Sequence, residues 1–232
     1  MARRARLVIP GIPHYIQQSG WEDGHVFFDR GDAKTYRAIL QRQSAAAGLQ
    51  ILAYCFMPND IQILAVPLLP TSLRKAIGET NRQYARHIAA TDKCDREQLW
   101  AERFHSFPLQ EKYTQHILHV IEWTPVLSGE VRHPRQWHYA SARPRIQGGG
   151  DPLITDHPVL ETIQWDKIND RKPSYLQMDL IASHQSTGRP LGDQDFITWL
   201  EKKLGRRLRP RKRGRRPNAP SLKTRMQEAA RS

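Results

Sequence analysis

The chain has 232 residues, of which 36 are Lys or Arg and 23 are Asp or Glu, for a formal net charge of +13. It contains no run of about 18 apolar residues, which excludes a transmembrane helix, and its start, MARRARLVIP, lacks the apolar core and cleavage site of a secretory signal. Cys55 and Cys94 are the only cysteines; without CxxC spacing they argue against a disulfide scaffold or thiolate metal site and fit a reducing cytosol. The charge excess predicts a polyanionic partner, most often nucleic acid.

The positive charge is concentrated at the two ends. Residues 201–217 hold ten Lys or Arg and one Glu, residues 218–232 add a net +2, and Arg3, Arg4 and Arg6 contribute +3. The body from 7 to 200 then has a net charge of −1. This pattern predicts a neutral globular body with a short basic arm and a long, Arg-rich basic tail. Because Arg is the better phosphate ligand, we favour nucleic-acid binding over a merely solubilising role for the tail.

The first half of the chain reads as strand, helix, strand, strand, helix. Strands are predicted over 13–19, 50–56 and 61–66, the last two as an antiparallel pair joined by Pro58-Asn59. Asp32 is the predicted N-cap of the first helix, with Tyr36, Ile39, Leu40 and Gln43 on one face, and Gly48 ends it. Thr71 or Ser72 is the predicted cap of a second helix, whose apolar stripe is Leu73, Ile77, Tyr84 and Ile88.

The second half continues with a strand over 100–108 and a helix from Glu111 to Trp123 that Pro125 is expected to end. Asp193 or Asp195 is predicted to cap a final amphipathic helix that Gly205 stops. Its apolar residues are Phe196, Trp199, Leu200 and Leu204.

The order β-α-β-β-α-β followed by a helix predicts an α+β fold of the ferredoxin-like, split βαβ type, with an antiparallel sheet, two helices on one face, and a C-terminal helix and basic tail. We expect a folded domain over 1–136 and an irregular extension over 137–192, which includes three consecutive glycines at 148–150. The amphipathic helix and DNA-binding tail are expected over 193–217, and a disordered end over 218–232.

Six strings resemble one known family. They are YCFMPND, SLRKAIGETNRQYARHI, LWAERFHSFPL, HVIEWTPVLSGEV, QWHYASAR and the closing GRPLGDQDFITWLEKKLGRRLRPRKRGRRP. In this order, over about residues 5–217, they resemble the REP-associated tyrosine transposases, within the single-tyrosine HUH transposases. The resemblance implies a cytoplasmic, nucleoid-associated protein that binds and mobilises palindromic or hairpin DNA repeats.

The resemblance also implies a reaction. Family members hold Mg²⁺ or Mn²⁺ with two histidines spaced H-x-H on a strand, where alternation places both side chains on one face. The cation polarises the scissile phosphate, and a helix tyrosine attacks it to form a phosphotyrosine link.

This sequence departs from the family at each of these positions. The histidine positions hold Asp60 and Gln62, the tyrosine position holds Val120, and a supporting Asn position holds Thr124. Valine has no nucleophilic atom, so we expect cleavage to be lost and DNA binding to survive. No cofactor is expected, although the oxygens of Asp60 and Gln62 leave weak Mg²⁺ binding open.

Two alternatives remain open at this stage. The first is an active transposase with displaced groups, in which Tyr113, two helical turns before Val120 and about 10 Å along the axis, attacks beside Asp60 and Gln62. The second is RNA binding through the tail. His116 and His119 have the i, i+3 spacing of a zinc pair, but we favour side chains flanking an apolar face.

The candidate DNA-binding residues are basic and lie on the arm, the second helix, the fourth strand and the tail. They are Arg3, Arg4, Arg6, Arg82, Arg86, Arg103, Arg206, Arg207, Arg209, Arg211, Lys212, Arg213, Arg215 and Arg216. Within the tail, Arg213-Gly214-Arg215-Arg216-Pro217 resembles an element that binds narrow minor grooves.

Overall fold

A four-stranded antiparallel sheet forms the centre of the protein. The computed structural model describes residues 6–91, 93–94 and 98–209. The strands are β1 (His14–Ser19), β2 (Leu49–Phe56), β3 (Asp60–Pro67) and β4 (His105–Pro108), in the spatial order β2-β3-β1-β4. Ile16 of β1 lies opposite Ile63 of β3 on one side and opposite Ser106 of β4 on the other. The predicted split βαβ order is therefore confirmed.

Seven α-helices accompany the sheet within the described residues. They are α1 (Arg30–Ala47), α2 (Glu79–Ala89), α3 (Thr114–Leu127), α4 (Ala142–Gln147), α5 (Trp165–Asn169), α6 (Tyr175–Thr187) and α7 (Gln194–Leu204). A π-helical turn over Arg74–Gly78 leads directly into α2. Short 3₁₀ turns occupy Trp21–Asp23, Glu111–Tyr113, Pro134–Gln136 and Pro158–Leu160. No helix among these residues is both long and apolar enough to cross a bilayer.

The first face of the sheet packs on α1 and α2, as predicted. Tyr36 of α1 and Tyr84 of α2 meet edge to face with ring centroids 5.2 Å apart. Both rings are fully buried with Phe56 of β2 and with Ile61 and Ile63 of β3. The alternation along β3 is what brings these side chains to one face, because successive residues of a strand point to opposite sides.

The opposite face is covered by α3 together with the segment 137–192. Ile117 and Ile121 of α3 pack against Leu64 of β3, and Ile181 of α6 joins the same cluster. The expectation that 137–192 is irregular is therefore wrong, since the segment contains α4, α5 and the whole of α6. Because α4 and α5 have only six and five residues, apolar burial stabilises them in place of a strong amphipathic pattern.

Hydrogen bonds decide where the first two helices begin. Asp29, not Asp32, caps α1: it accepts from the backbone N–H of Gly31, while Asp32 at N3 accepts in return from the N–H of Asp29 at 3.0 Å. Such a reciprocal box satisfies more of the free N–H groups at the helix start than one cap alone. Of the two predicted caps of the second helix, Thr71 directly precedes the first helical residue, and its carbonyl accepts from the Lys75 N–H at 2.9 Å. The Ser72 hydroxyl instead accepts from the Leu69 N–H at 3.0 Å and donates to the Ala47 carbonyl at 2.7 Å.

Pro125 lies inside α3 and does not end it. Proline removes only its own N–H donor, and the N–H of Ser128 still reaches the Thr124 carbonyl at 2.9 Å. The predicted strand over 100–108 shortens to β4, and Trp100 forms only an isolated bridge with Gly20. The glycine stop at Gly48 (φ +62°) and the cap of α7 by Asp193, with Gly205 (φ +60°) after it, are as predicted.

Candidate nucleic-acid interface

A cavity of about 320 Å³ opens where β3 begins, on the α3 side of the sheet. Three of the four positions that the family resemblance singles out, Asp60, Gln62 and Thr124, line it. We call it the β3 cavity. Its remaining lining residues are His25, Met57, Pro58, Asn59, Ser128 and Glu130. The fold thus brings together residues that lie more than sixty positions apart in sequence.

Asp60 is the centre of a side-chain network in this cavity. Its Oδ1 accepts from Gln17 Nε2 at 2.8 Å and from Ser19 Oγ at 3.0 Å, and its Oδ2 accepts from Gln62 Nε2 at 3.0 Å. Burial raises the pKa of the Asp60 carboxyl, and these hydrogen bonds oppose that rise in part. The carboxylate is therefore held by neutral donors on β1 and β3.

The network continues to α3 in one direction. Gln62 Oε1 accepts from the Thr124 hydroxyl at 3.1 Å, and the same hydroxyl lies 2.9 Å from the Val120 carbonyl oxygen. Val120 is 8% exposed and packs in the apolar cluster beneath the sheet, outside the lining of the cavity. An aliphatic side chain in an apolar cluster offers nothing that could attack a phosphate.

This donor set fits a divalent cation poorly. Mg²⁺ requires near-octahedral oxygen coordination, but both Asp60 oxygens and the Gln62 carbonyl oxygen already accept hydrogen bonds within the protein. Within the described residues, no three His, Cys, Asp or Glu side chains gather closely enough to hold a metal ion.

The other candidate residues from the sequence, Tyr113, His116 and His119, do not line the β3 cavity. Tyr113 ends the 3₁₀ turn before α3. Its partly buried ring packs against the apolar cluster of α3 and the sheet, outside the lining of the β3 cavity. His119 donates from Nε2 to the Arg171 carbonyl at 2.6 Å, and burial lowers its pKa. His116 lies beside the Tyr113 ring, with centroids 6.0 Å apart. The two histidines therefore have structural contacts of their own.

A second cavity, of about 440 Å³, collects cations from distant parts of the chain. Arg6, Arg103, Arg206 and Arg207, all predicted from sequence, line it together with Arg189. Glu102 is the one acidic residue among the described residues that line it. We call this cavity the basic groove.

The groove is built on the outer edge strand of the sheet. Arg6 Nε donates to the Phe104 carbonyl at 2.9 Å, and its guanidinium lies 3.6 Å above the Phe104 ring, which docks the amino-terminal segment beside β4. Gln185 of α6 lines the groove and also donates to Gln17. Because Gln17 donates in turn to Asp60, hydrogen bonds run from the groove to the β3 cavity.

Other predicted cations are placed outside the groove. Arg209 is paired with Glu201 at 3.6 Å and donates to Thr198 of α7. Arg82 forms a two-point ion pair with Glu79 on α2, at 2.5 and 2.8 Å, and Arg86 is exposed on the same helix. The remaining candidates lie outside the described residues. They are Arg3, Arg4, Arg211, Lys212, Arg213, Arg215 and Arg216.

Two sets of cavity-lining cations were not predicted from the sequence. Arg189 lines the groove from the loop before α7, and nothing in its local sequence distinguishes it. Arg30, Lys34 and Arg37 lie together in a third cavity, next to α1. Their i, i+4, i+7 spacing on one helix face could have revealed them.

Residues 22–123 match the model of the family described as IS200-like transposases. One similar solved structure is a REP-associated tyrosine transposase bound to a REP hairpin, at 16% identity and a TM-score of 0.50, over 68% of this chain and 96% of that one. Another is a putative transposase from Deinococcus radiodurans R1, at 18% identity and a TM-score of 0.37, over 52% of this chain and 95% of that one. No curated protein matches the chain by sequence.

The family match and the fold of the REP-associated transposase confirm the resemblance that the sequence motifs indicate. The likeness to the REP-associated enzyme is one of fold, and it spans nearly all of that chain. The matched residues run from the 3₁₀ turn at Trp21–Asp23 to Trp123 of α3, so they take in β2, β3 and the Asp60 and Gln62 positions. The similarity to the IS200-like transposase family thus covers residues 22–123 of this chain.

Proposed function

We propose that this protein binds DNA, with a hairpin or palindromic repeat as its target, and does not cleave it. The basic groove is the observation that supports binding most strongly. Five arginines from the amino-terminal segment, the β4 edge, the loop before α7 and the residues after α7 face one cavity. Planar guanidinium groups with several donors are well suited to phosphate oxygens.

The groove also joins the two ends that hold the excess charge. Arg6 belongs to the basic arm, and Arg206 and Arg207 are the first arginines after α7, where the Arg-rich stretch of the sequence begins. A phosphate backbone in the groove would therefore continue along the arm and the tail. Each phosphate neutralised releases condensed counterions, which favours binding without reading the base sequence.

Loss of cleavage is supported by the β3 cavity. The position of the family's nucleophile is a valine in an apolar cluster, and the positions of the metal ligands are Asp60 and Gln62, whose oxygens are used within the protein. Tyr113 does not line the cavity. Neither nucleophile nor cation site is therefore assembled from the residues that the family would use.

A hairpin is proposed as the target because a transposase of the same fold was solved with a REP hairpin. Because the folded body is close to neutral, the arm and the tail supply most of the positive charge. The folded surfaces around the groove would then select a target by its shape. RNA binding, the alternative from sequence, has no separate observation in its favour.

The test measures binding of a labelled DNA hairpin by fluorescence anisotropy over a series of salt concentrations. Replacing Arg103 and Arg206 by Gln should weaken binding and reduce the magnitude of the slope of log K against log salt by about 0.9 for each lost phosphate contact. Lys167→Gln, an exposed cation on α5 outside the groove, is the matched control. Unchanged binding by the double variant, or equal binding of an RNA hairpin of the same sequence, would contradict the proposal.

A further inference from the structure

The cavity next to α1, with a volume of about 620 Å³, combines aromatic rings and cations, and it lies at the opposite edge of the sheet from the basic groove. It lies between α1, the edge strand β2 and the chain that follows α3. We call it the α1 pocket. Its lining residues include Trp137, Tyr139, Arg30, Lys34 and Arg37. Its volume falls within the range of small-molecule pockets, roughly 300–1,000 Å³.

The two aromatic rings are fixed by backbone pairing with β2. The Phe56 N–H donates to the Tyr139 carbonyl at 2.9 Å, and the Trp137 indole N–H donates to the Phe56 carbonyl at 3.0 Å. Both side chains are half-buried, and their rings meet edge to face with centroids 6.2 Å apart. The rings thus form a rigid apolar wall with part of each surface open to the pocket.

The cations form a second wall on α1. Arg37 is fixed by Asp151 and by the Tyr54 hydroxyl at 3.2 Å, and that hydroxyl donates to Asp151 at 2.8 Å. Arg30 and Lys34 are exposed, and neither has an ion-pair partner among the residues that the structure describes. Within the part of the chain that the structure describes, the pocket therefore presents two exposed cations without an ion-pair partner beside the aromatic wall.

We infer that the α1 pocket binds an unpaired nucleotide of the DNA strand, its base against Tyr139 and Trp137 and its phosphate near Arg30 and Lys34. Aromatic surfaces bind bases by stacking, whatever their sequence, while a cationic rim tracks the backbone. A base stacked inside a duplex has no free face for the aromatic wall, whereas an unpaired base does, so the pocket suits an unpaired nucleotide. This inference rests on the proposed function only in taking DNA as the partner.

The test uses an unpaired oligonucleotide that carries a fluorescent adenine analogue, whose emission falls when the base stacks on an aromatic ring. Tyr139→Leu removes the ring and should weaken binding and quenching about tenfold, within the range measured for base–aromatic stacking. Tyr139→Phe keeps the ring and loses only a long hydroxyl contact with the Arg30 carbonyl, 3.4 Å, so it should behave as the wild type.

The contribution of the two pocket cations to binding is tested in the same assay. Replacing Arg30 and Lys34 together by Gln should reduce the magnitude of the salt slope by roughly 0.7 per contact, whereas the control Lys167→Gln should not change it. Circular dichroism of each variant checks that the fold is retained.

A blunt hairpin and the same hairpin with a short unpaired extension separate this inference from the proposed function. If the blunt hairpin binds but the extension adds neither affinity nor quenching, the inference is wrong and the proposed function stands. If the blunt hairpin fails while the unpaired strand binds in a Tyr139-dependent way, the inference stands and the proposed function is wrong. Equal quenching by Tyr139→Leu and wild type overturns the inference.

Discussion

At the scale of single residues, Asp60, Gln62 and Thr124 form one hydrogen-bonded network that joins β3 to α3. Three neutral donors hold Asp60, and the Gln62 amide joins it to Thr124. The oxygens that could have bound a cation instead crosslink β1, β3 and α3. Val120, one helical turn from Thr124, packs its aliphatic side chain in the apolar cluster beneath the sheet.

The first prediction is that Mg²⁺ does not stabilise the protein through Asp60. A ligand that binds only the folded state raises the unfolding midpoint as its concentration rises, and a cation at Asp60 would do so. We expect the thermal midpoint to respond to MgCl₂ as it does to KCl of equal ionic strength, and Asp60→Asn to respond equally. A Mg²⁺-dependent rise in the wild type that Asp60→Asn abolishes would refute it.

The second prediction concerns His14 of β1, which is fully buried. Its Nε2 accepts from the Ile9 N–H and its Nδ1 donates to the Ile12 carbonyl, and burial lowers its pKa from 6.5 to about 4. The unfolded state therefore binds the proton more tightly than the folded state does. The contribution of neutral His14 to the free energy of unfolding is present above pH 6.5 and is lost as the pH falls through about 4. The full loss amounts to about 3 kcal/mol.

Urea unfolding between neutral and acidic pH measures this loss. His14→Gln removes the titrating ring, so its free energy of unfolding should fall less over the same pH interval. Parallel pH profiles for the variant and the wild type would show that His14 does not contribute in this way.

At the scale of elements, a buried ion pair links α3 to the segment 137–192. Arg145 of α4 contacts the carboxylate of Glu122 on α3, which is 1% exposed, and also donates to the Leu52 carbonyl at 3.0 Å. Its guanidinium lies 4.3 Å from the centre of the Trp165 ring, and burial lowers its pKa to about 10. These contacts fasten α4 and α5 to α3.

Arg145→Leu should therefore lower the free energy of unfolding by roughly 3–5 kcal/mol, because it leaves Glu122 buried without its partner. Arg143→Leu on the same helix, where the half-buried arginine contacts the exposed side chains of His138 and Gln147, should change it by no more than about 0.5 kcal/mol. Urea titrations of both variants provide the comparison. Equal effects would show that the buried pair contributes no more than a surface contact.

Elements with strong local signals could be predicted from the sequence, and those that depend on tertiary packing could not. Gly48 and Gly205 end their helices because both adopt positive φ, a conformation glycine adopts without steric cost. In contrast, α4 and α5 have six and five residues, too short to show periodicity. Pro125 misled the prediction because tertiary packing retains a helix whose local sequence favours an end.

At the scale of the whole molecule, the fold gathers charge that the sequence disperses. Arg6, Arg103, Arg206 and Arg207 could be proposed from sequence as phosphate contacts, yet only the order of the strands places them in one groove. Arg189 could not be foreseen, because an isolated arginine in a loop has no pattern. The aromatic and cationic walls of the α1 pocket depend likewise on pairing of the chain near Tyr139 with β2.

The accumulated charge predicts a steep salt dependence for the full chain. If about six cations of the tail meet phosphates, log K should fall against log salt with a slope of roughly −5, and the groove arginines should make it steeper. Anisotropy titrations of a labelled hairpin across a range of KCl concentrations measure the slope. A flat response would show that phosphate contacts do not drive binding.

The most direct test of the account incubates the protein with labelled hairpin DNA and Mg²⁺ or Mn²⁺, and divides each sample between a native and a denaturing gel. Because Val120 cannot form a phosphotyrosine bond, we expect a complex on the native gel and only free, intact DNA on the denaturing gel. A covalent protein–DNA adduct on the denaturing gel would contradict the account, and its loss in Tyr113→Phe would identify the nucleophile.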